Sequence, residues 1–594
     1  MPVYKAPLEN MRFVLNDVLN VGQLAELPGY EQATSDMLDS ILDGGAHICE
    51  DVLFPLNQSG DAEGCHFENG QVTTPKGFKE AYLQLSQDGW TTLSADPDFG
   101  GMGLPYLWNL VFIEMTCSAN ASLSMYPGLS EGAYRAILHH GSEILKQTYL
   151  PKMVTGEWSG TMCLTESHCG TDLGLIKTKA VPQDDGSYKV TGTKIFISAG
   201  EHDLTNNIVH LVLAKLPDAP EGAKGISLFV VPKYLPDTGD ANHVTCGAIE
   251  HKMGIKASST CVMNFDGATG WLIGEPHKGL KAMFTMMNTA RLMVGMQGLG
   301  QAETAWQNGL AYAKDRLQMR ALDGVKYPDK PADPILVHPD VRRMLLTSKA
   351  FCEGARALSY WVGLHLDISE KHPDPIKRRD ADDFVSLMTP IIKAYQTDMG
   401  FEIANLAIQI HGGHGYIREY GVEQYARDAR IAMIYEGTNG IQALDLVGRK
   451  MGQNYGRLLR QFFHPVLAFI EANQDNLALG EFVFPLAKAF AKLQQASVQV
   501  AMKGMKDPNE AGAASTDYLR LFALVAMGFM WARMAKVAQE KLAVSSEKAE
   551  FHQSKIKTAR FFMERMLPEI ESRFRMVMAG AKPLMDMTED EFAA

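Results

Sequence analysis

At 594 residues the chain is too long for one hydrophobic core, and usual domain sizes give roughly three to five domains. Hydrophobic residues make up 46% and charged residues 21%, the composition of an ordinary soluble globular protein rather than a disordered or fibrous one. The formal net charge of −13, from 56 basic and 69 acidic side chains, argues against nucleic acid or an anionic membrane as the main partner.

Residues 1–160 predict a mainly helical domain with a short N-terminal extension. Asp36-Met-Leu-Asp-Ser-Ile-Leu-Asp43 and Phe78-Lys-Glu-Ala-Tyr-Leu-Gln-Leu85 carry apolar residues three to four apart. Pro55, Pro75, Pro97 and Pro105 punctuate them. Phe99-Gly-Gly-Met-Gly-Leu-Pro105 is Gly-rich, but no strand pattern precedes it, so it is not a dinucleotide fingerprint. The mostly apolar run from Leu107 to Leu138 reads as two core helices, or as the lining of a deep pocket, with a break near Met125-Tyr-Pro-Gly128.

Over 161–275 the period changes to two. Ser187-Tyr-Lys-Val-Thr-Gly192 and Lys194-Ile-Phe-Ile-Ser198 alternate as strands do, and Asp184-Asp-Gly186 ahead of them is a hairpin turn signal. Ile208–Ala214, Ile226–Val231 and Cys261–Phe265 read as buried strands. A small all-β domain is expected here, set into a helical protein.

Helices return over 276–455, with Leu280–Arg316, Val337–Leu366 and Asp382–Ile410. Four or five long antiparallel helices are expected, hence a bundle. Tyr327-Pro-Asp-Lys-Pro-Ala-Asp-Pro334 reads as a stiff surface loop. An additional helical domain is expected over 456–594, with segments Phe484–Met505, Thr516–Leu542 and Phe551–Gly580. The apolar run Leu521–Ala532, closed by Arg520 and Arg533, is too short to cross a bilayer. It reads as a buried or subunit-interface helix, and no integral membrane segment is expected. The fold class is therefore α+β and multidomain.

The cysteines at 49, 65, 117, 163, 169, 246, 261 and 352 are scattered, which predicts reduced and mostly buried thiols. There is no C-x-x-C pair and no H-x-x-x-H pair beside a third ligand, so no metal site is expected. Met-Pro-Val-Tyr-Lys-Ala-Pro7 lacks an apolar signal region, and a cytoplasmic location is the expectation.

Two segments carry chemistry. In Tyr435-Glu436-Gly437-Thr438-Asn439-Gly440 a carboxylate stands between an aromatic residue and a turn, with hydrophobic helical sequence on both sides. Thr438 or Asn439 can cap the helix that follows, from Gly440 to about Met451. Taken alone, the hexamer also fits an ordinary acidic first turn. In an apolar setting the Glu436 carboxyl would be raised, which suits a general base near neutral pH. The second segment, Cys163-Leu-Thr-Glu-Ser-His-Cys-Gly-Thr-Asp-Leu-Gly174, offers the hydroxyls of Thr165 and Thr171 and free backbone donors for the edge of a flat polar ring. Lys194-Ile-Phe-Ile-Ser198 adds an aromatic wall and another hydroxyl, although either piece alone reads as a capped loop or a strand.

Together these segments resemble the signature regions of the acyl-CoA dehydrogenase flavoproteins. The first is similar to the family's C-x-T-E-x-x-x-G-[ST]-D stretch. The resemblance implies that Thr165 and Thr171, with Met162, Cys163, Leu164 and Gly170, hold the isoalloxazine and pyrophosphate of FAD. Thr171 would also touch the substrate. Phe196-Ile197-Ser198 resembles W-I-[ST], which stacks beside the flavin. Tyr312-Ala-Lys-Asp-Arg316 resembles Y-A-x-x-R, whose Arg meets the FAD phosphates. Gln409-Ile-His-Gly-Gly413 resembles Q-x-x-G-G, which reaches the FAD of a neighbouring subunit. Asn288-Thr-Ala-Arg291 resembles the D-x-x-R that touches CoA, and Thr438 and Gly437 would lie near FAD and substrate. Phe196 replaces a Trp, Asn288 an Asp, and Gly440 a frequent polar residue. His168 and Cys169 stand where small residues are common, and His338-Pro339 stands where His-Gln is frequent. The motif order and the α–β–α layout agree over roughly residues 35–455, and the extra helices resemble the long bacterial subgroup. That subgroup includes fatty acyl-CoA and 3-methylmercaptopropionyl-CoA dehydrogenases.

The resemblance implies α,β-dehydrogenation of a saturated acyl-CoA, medium or long in chain, to the trans-2-enoyl-CoA of β-oxidation. Glu436 would take the Cα proton while a hydride leaves Cβ for FAD. Electrons would pass to an electron-transfer flavoprotein, and the assembly would be a homodimer or homotetramer. An acyl-CoA oxidase shares the fold and the Glu. A DNA-binding relative shares the fold but needs a basic C-terminal groove, and basic and acidic residues are interspersed over 456–594.

Overall fold

The computed structural model describes residues 2–594, apart from the side chain of Asn288. The chain forms two compact units, residues 43–293 and residues 2–42 with 294–594. All eight cysteines are free thiols, seven of them buried and Cys65 half-buried.

In the unit of residues 43–293, the helical part includes Pro55–Glu63, Phe78–Gln87, Tyr106–Ala119, Ala121–His140 and Glu143–Val154. The long apolar run is indeed two core helices, but its break falls at Asn120, not at Met125–Gly128. Asn120 leaves the helical region (φ −156°, ψ 92°), and its side-chain oxygen accepts from Leu123 N–H at 3.0 Å, capping the second helix. Pro127 is absorbed inside that helix. A hairpin that the sequence reading passed over joins strands β1 (His66–Glu68) and β2 (Gln71–Thr73). Asn69 and Gly70 both take positive φ at its turn, 51° and 79°, as the Asn-Gly pair commonly does.

The β part comprises β3 (Trp158–Cys163), β4 (Lys179–Pro182), β5 (Tyr188–Ser198), β6 (Asn207–Lys215), β7 (Ile226–Pro232), β8 (Val244–Ile249) and β9 (Thr260–Ile273). The order β6-β4-β5-β9-β7 closes on itself because β6 also pairs with β7; β3 lies parallel to β6, and β8 edges β9. Closure removes exposed edges from the central ring. The two alternating stretches expected around residues 187–198 form one long strand, β5. The turn between β4 and β5 is where Asp184-Asp-Gly186 signals it, with Gln183 N–H donating to Ser187 O at 2.9 Å. The barrel core gathers Val190, Ile197, Val212, Phe229, Cys261 and Phe265, among other apolar side chains.

In the other unit the helices Pro339–Lys371 and Pro375–His411 pack along each other. They and Gly279–Asp315 are 33, 37 and 37 residues long. The fourth and fifth long helices expected before residue 455 are instead short: Glu423–Arg430 and Asn439–Asp445. Gly and Thr residues interrupt the pattern there. Residues 2–42 pack into this unit. Val3 N–H donates to Asn308 Oδ1 at 2.9 Å, and the buried Arg356 guanidinium donates to Asn10 Oδ1 at 2.6 Å and to Glu303 Oε2 at 2.7 Å.

The C-terminal region consists mainly of Arg457–Asn473, Gly480–Gly504, Pro508–Val544, Ala549–Phe561 and Ile570–Ala579. The expected helix Phe551–Gly580 is helical as far as Ala579 but changes type, passing through a π turn at Phe562–Met566 and a 3-10 turn at Leu567–Glu569, where Pro568 has no N–H for a helical bond. Pro508–Val544 is long and apolar enough to cross a membrane, but 83% of its most apolar window is buried inside the protein. It is a core helix, and Trp531 Nε1 on it donates to Ala350 O at 3.0 Å.

Helices Gly279–Asp315 and Pro375–His411 meet backbone to backbone. A Cβ at Gly298 would stand 2.4 Å from Gln396 O, and one at Gly400 would stand 2.4 Å from Gly298 O. Neither contact is with a flexible side chain, so the backbones themselves would have to move. Gly298→Ala is expected to destabilise the protein by about 1–3 kcal/mol, the scale of core overpacking. Denaturant unfolding of the purified variant checks this; a midpoint equal to that of the parent contradicts it.

Candidate active site

The Glu436 turn lies in the unit that holds the long helices. Helix Glu423–Arg430 and a short turn of helix at Ile431–Met433 lead into it, and helix Asn439–Asp445 leads away. Thr438 caps the second helix, its hydroxyl accepting from Ile441 N–H at 3.3 Å. Asn439, the other candidate cap, turns inward instead: its Nδ2 donates to Asp398 Oδ1 at 2.6 Å. Glu436 has φ +56° and Gly437 φ +83°. For a non-glycine residue that left-handed backbone costs about 1–2 kcal/mol. It also throws the Glu436 side chain out of the line of both helices. Glu436 is half-buried, and its Oε2 is shielded from solvent. Tyr435 donates its hydroxyl proton to Gln297 Oε1, tying the turn to helix Gly279–Asp315.

In the same unit, Arg316 is exposed at the C-terminal end of that helix. Gln409 and Gly413 are exposed beside it. Tyr312 joins these pieces: its ring stacks on His411 with centroids 4.2 Å apart, and its hydroxyl bonds His414 Nδ1 at 2.8 Å. Arg316 and the Gln409–Gly413 stretch are thus brought to one end of the bundle. A Cβ at Gly413 would meet nothing within 4 Å, so the backbone there is open to approach.

In the other unit, β3 ends at Cys163 and the segment 164–172 follows. Cys163 and Ile197 are buried in the barrel core and Leu164 is 9% exposed, so these residues offer a ligand mainly backbone. Met162 and Thr165 are half-buried, and Gly170 and Thr171 are exposed. Thr165 O accepts from Ile195 N–H at 2.9 Å, joining the segment to β5. There β5 bulges, with its register against β9 shifting between Lys194 and Ile197. At the bulge Phe196 takes φ +58° and is 58% exposed, while Ser198 is half-buried beyond it. A bulge re-aims a side chain that regular pleating would turn inward or along the sheet. Arg291 is buried, its guanidinium 5.9 Å from the centre of the Phe284 ring. The Asn288 side chain lies outside the described residues.

Residue-by-residue reading missed Glu166 and Lys194. Both are buried and lie 2.9 Å apart as an ion pair. Glu166 Oε1 also accepts from the Thr178 hydroxyl at 2.6 Å, Oε2 accepts from Lys177 N–H at 2.7 Å, and Lys194 Nζ reaches Leu164 O at 3.0 Å. Burial alone would raise the Glu166 carboxyl, but the Lys194 charge and these donors outweigh it and hold it down at about 2. The signal was the Glu of the C-x-T-E stretch itself, which names no partner for it. Glu166, His168 and Cys169 bring potential ligand atoms within 4.8 Å of one another. The Lys194 ammonium already neutralises that carboxylate, which disfavours a cation there.

An exposed aromatic ring at a bulge, hydroxyls on the adjoining segment and free backbone make a surface suited to a flat, polar-edged ring. FAD fits these residues. Profiles of the acyl-CoA dehydrogenase family match the chain in order: the N-terminal domain over 58–157, the middle domain over 161–268 and the C-terminal domain over 277–451. A fourth, described as acetyl-CoA dehydrogenase C-terminal like, matches 462–588. The chain belongs to the acyl-CoA dehydrogenase family and is an FAD-dependent oxidoreductase.

Among relatives, 3-methylmercaptopropionyl-CoA dehydrogenase of Ruegeria pomeroyi is 43% identical over 95% of this chain and 96% of its own. The broad-specificity linear acyl-CoA dehydrogenase FadE5 of Mycobacterium tuberculosis is 31% identical over the full length of both. In fold, the chain resembles an acyl-CoA dehydrogenase from Bacillus anthracis solved in complex with FAD, with TM-score 0.74 and 21% identity over 97% of this chain and 92% of that one.

Glu166→Gln strips the buried Lys194 of its counter-charge and is expected to cost about 3–5 kcal/mol of stability. The acid dependence has a defined sign. A carboxyl held at about 2 against an ordinary 4.5 contributes stability in full above about pH 4.5, and that contribution is lost as the pH falls toward 2. Burial also holds His202 and His210 at about 3 against 6.5, so they stabilise above about pH 6.5 and lose that contribution on acidification. Denaturant unfolding should therefore show stability falling as the pH drops below about 6.5, and falling further between about pH 4.5 and pH 2. A flat profile, or a variant as stable as the parent at pH 7, contradicts the assignment.

Proposed function

We propose that the chain catalyses α,β-dehydrogenation of a straight-chain saturated acyl-CoA to the trans-2-enoyl-CoA, with Glu436 as the base. The observation that carries this reading is the Glu436 turn: a carboxylate set at left-handed backbone between two helices, with one oxygen shielded from water. A general base needs a fixed position and a medium in which its proton affinity is high. The turn fixes the position, and it shields one carboxylate oxygen from water.

Roles for the remaining residues follow from the family resemblance, and their exposure in each unit is compatible with them. Thr165, Thr171 and Ser198, with the backbone of Met162, Cys163, Leu164, Gly170 and Ile197, would hold FAD at its ring edge, and Phe196 would stack beside it. Arg316 would meet the cofactor's phosphates, and Gln409 and Gly413, exposed at the same end of the bundle, would serve the cofactor of a neighbouring subunit in a homo-oligomer. Thr438 would lie near FAD. Thr171, Asn288, Arg291 and Gly437 would touch the acyl-CoA. FAD, when bound, supplies the hydride acceptor. The thioester α-proton is only weakly acidic, so the substrate carbonyl needs preorganised donors, and the Glu436 N–H is the one this chain would offer. Electrons would leave through an electron-transfer flavoprotein.

A second reading of the acyl group is 3-methylmercaptopropionyl, favoured by the relative of that name at 43% identity. Its thioether chain is nearly isosteric with a short alkyl chain, and apolar walls separate such a pair by only about 1–3 kcal/mol.

Glu436→Gln is expected to stay yellow and FAD-bound while losing at least about a hundredfold in turnover, the general-base scale. Near-normal turnover in this variant would sink the proposal. The substrate is read by anaerobic titration of the purified protein with straight-chain acyl-CoAs from butyryl to stearoyl and with 3-methylmercaptopropionyl-CoA. Flavin bleaching by the straight-chain series supports the first reading, and bleaching confined to the thioether supports the second. Peroxide released during turnover in air would reassign the protein as an oxidase.

A further inference from the structure

The Glu436 turn is held from beneath by two side chains. Lys393, fully buried on helix Pro375–His411, donates from Nζ to Gly437 O at 2.8 Å and to Asn439 Oδ1 at 2.8 Å. Gln442, 1% exposed, donates from Nε2 to Glu436 O at 3.1 Å and to Gly437 O at 3.3 Å. The carbonyls of Glu436 and Gly437 are therefore both engaged from the protein interior. Asn439 continues the connection: it bonds Asp398 as described and Thr397 Oγ1 at 3.0 Å. Lys393 and Thr397 lie one turn apart on the same helix, and that helix is the one locked against Gly279–Asp315 at Gly298 and Gly400. The turn is thereby fixed to a crossing where two helix backbones touch.

We propose that Lys393 is a positioning residue for proton abstraction: it fixes the Glu436–Gly437 backbone, and with it the place where the carboxylate stands. The inference rests on the reading of Glu436 as the base. A non-glycine residue at positive φ, as Glu436 is, keeps that conformation only where the surroundings over-determine it. A hydrogen bond from an ammonium group to a carbonyl is stronger than a neutral one, and burial strengthens it further. Lys393 touches neither substrate nor cofactor in this account. Its effect reaches the reaction only through the geometry of Glu436.

The test uses the full-length FAD-loaded enzyme and one acyl-CoA that bleaches the parent. Lys393→Met is expected to lower kcat by about 10- to 100-fold, the loss that follows a displacement of about 1 Å at a reacting group. KM and flavin content should stay close to the parent's. The kinetic isotope effect with Cα-deuterated substrate should rise, because proton abstraction becomes slower relative to other steps. Gln442→Met removes the other two bonds without touching a buried charge; it should show the same pattern with a smaller loss, and it carries the test if Lys393→Met does not fold. Lys393→Arg, which keeps charge and donors, should recover part of the rate. Parental kcat and isotope effect in the folded variants would overturn the proposal. So would a rate loss matched by lost flavin and a lowered thermal midpoint, which marks a merely structural role. Glu436→Gln separates the two levels: turnover surviving there removes the base assignment itself, whereas turnover lost there but kept in Lys393→Met and Gln442→Met removes only the positioning role.

Discussion

A non-glycine residue in left-handed backbone is unfavourable, and at Glu436 much of the surrounding structure is arranged to hold one. The residue cannot continue the helix before it or begin the helix after it. Its side chain is therefore presented at a junction, and not on a helix face where a solvated rotamer would be available. The junction persists because each flank is pinned: Thr438 caps the outgoing helix, Tyr435 is tied to Gln297, and Lys393 and Gln442 take the carbonyls. Gln297 and Lys393 come from helices whose backbones touch at Gly298 and Gly400. Small residues at that crossing thus bear directly on where a carboxylate stands.

The β unit solves the same problem with different parts. The segment after β3 carries polar groups that must stay accessible, so it cannot be pinned by apolar side chains of its own. It is pinned instead by Glu166, whose carboxylate gathers the Lys194 ammonium, the Thr178 hydroxyl and backbone N–H groups. Lys194 stands two residues before Phe196 on β5, immediately before the bulge. One buried ion pair therefore fixes both the loop and the strand bulge that turns the aromatic ring outward. In each unit a left-handed, non-glycine residue carries the side chain of interest, and a buried lysine lies close to it.

The long helices were legible because an apolar period of 3.6 sustained over thirty residues has few other solutions, and the barrel strands because runs such as Ile208–Ala214 are buried on both faces. The two chemical segments were legible as residue types and order. Other features were not. Pro127-Gly128 has the form of a turn, yet the break went to Asn120, because a capping side chain decides where a helix starts more strongly than a proline in its second turn decides where one ends. The Asn69-Gly70 hairpin carried a usable signal, but its strands are three residues each and mostly exposed, which leaves no hydrophobic pattern to accompany it. The partners Glu166–Lys194 and Lys393–Gly437 are 28 and 44 residues apart along the chain, and no local pattern pairs them.

The C-terminal region is continuous with the unit that holds Glu436. Trp531 donates into the backbone of helix Pro339–Lys371, and the buried Lys555 pairs with Glu353 on that helix at 2.8 Å. Arg520 lies over the Tyr395 ring at 4.9 Å, two residues from Lys393, and is itself held by Glu569 at 3.1 Å. The Arg520 charge also opposes the burial that raises the Asp398 carboxyl, the group that accepts from Asn439 beneath the turn. A region that buries its most apolar helix against the bundle, and sets its charges close to the Glu436 turn, cannot be a detachable appendage. It completes the core on which that turn rests.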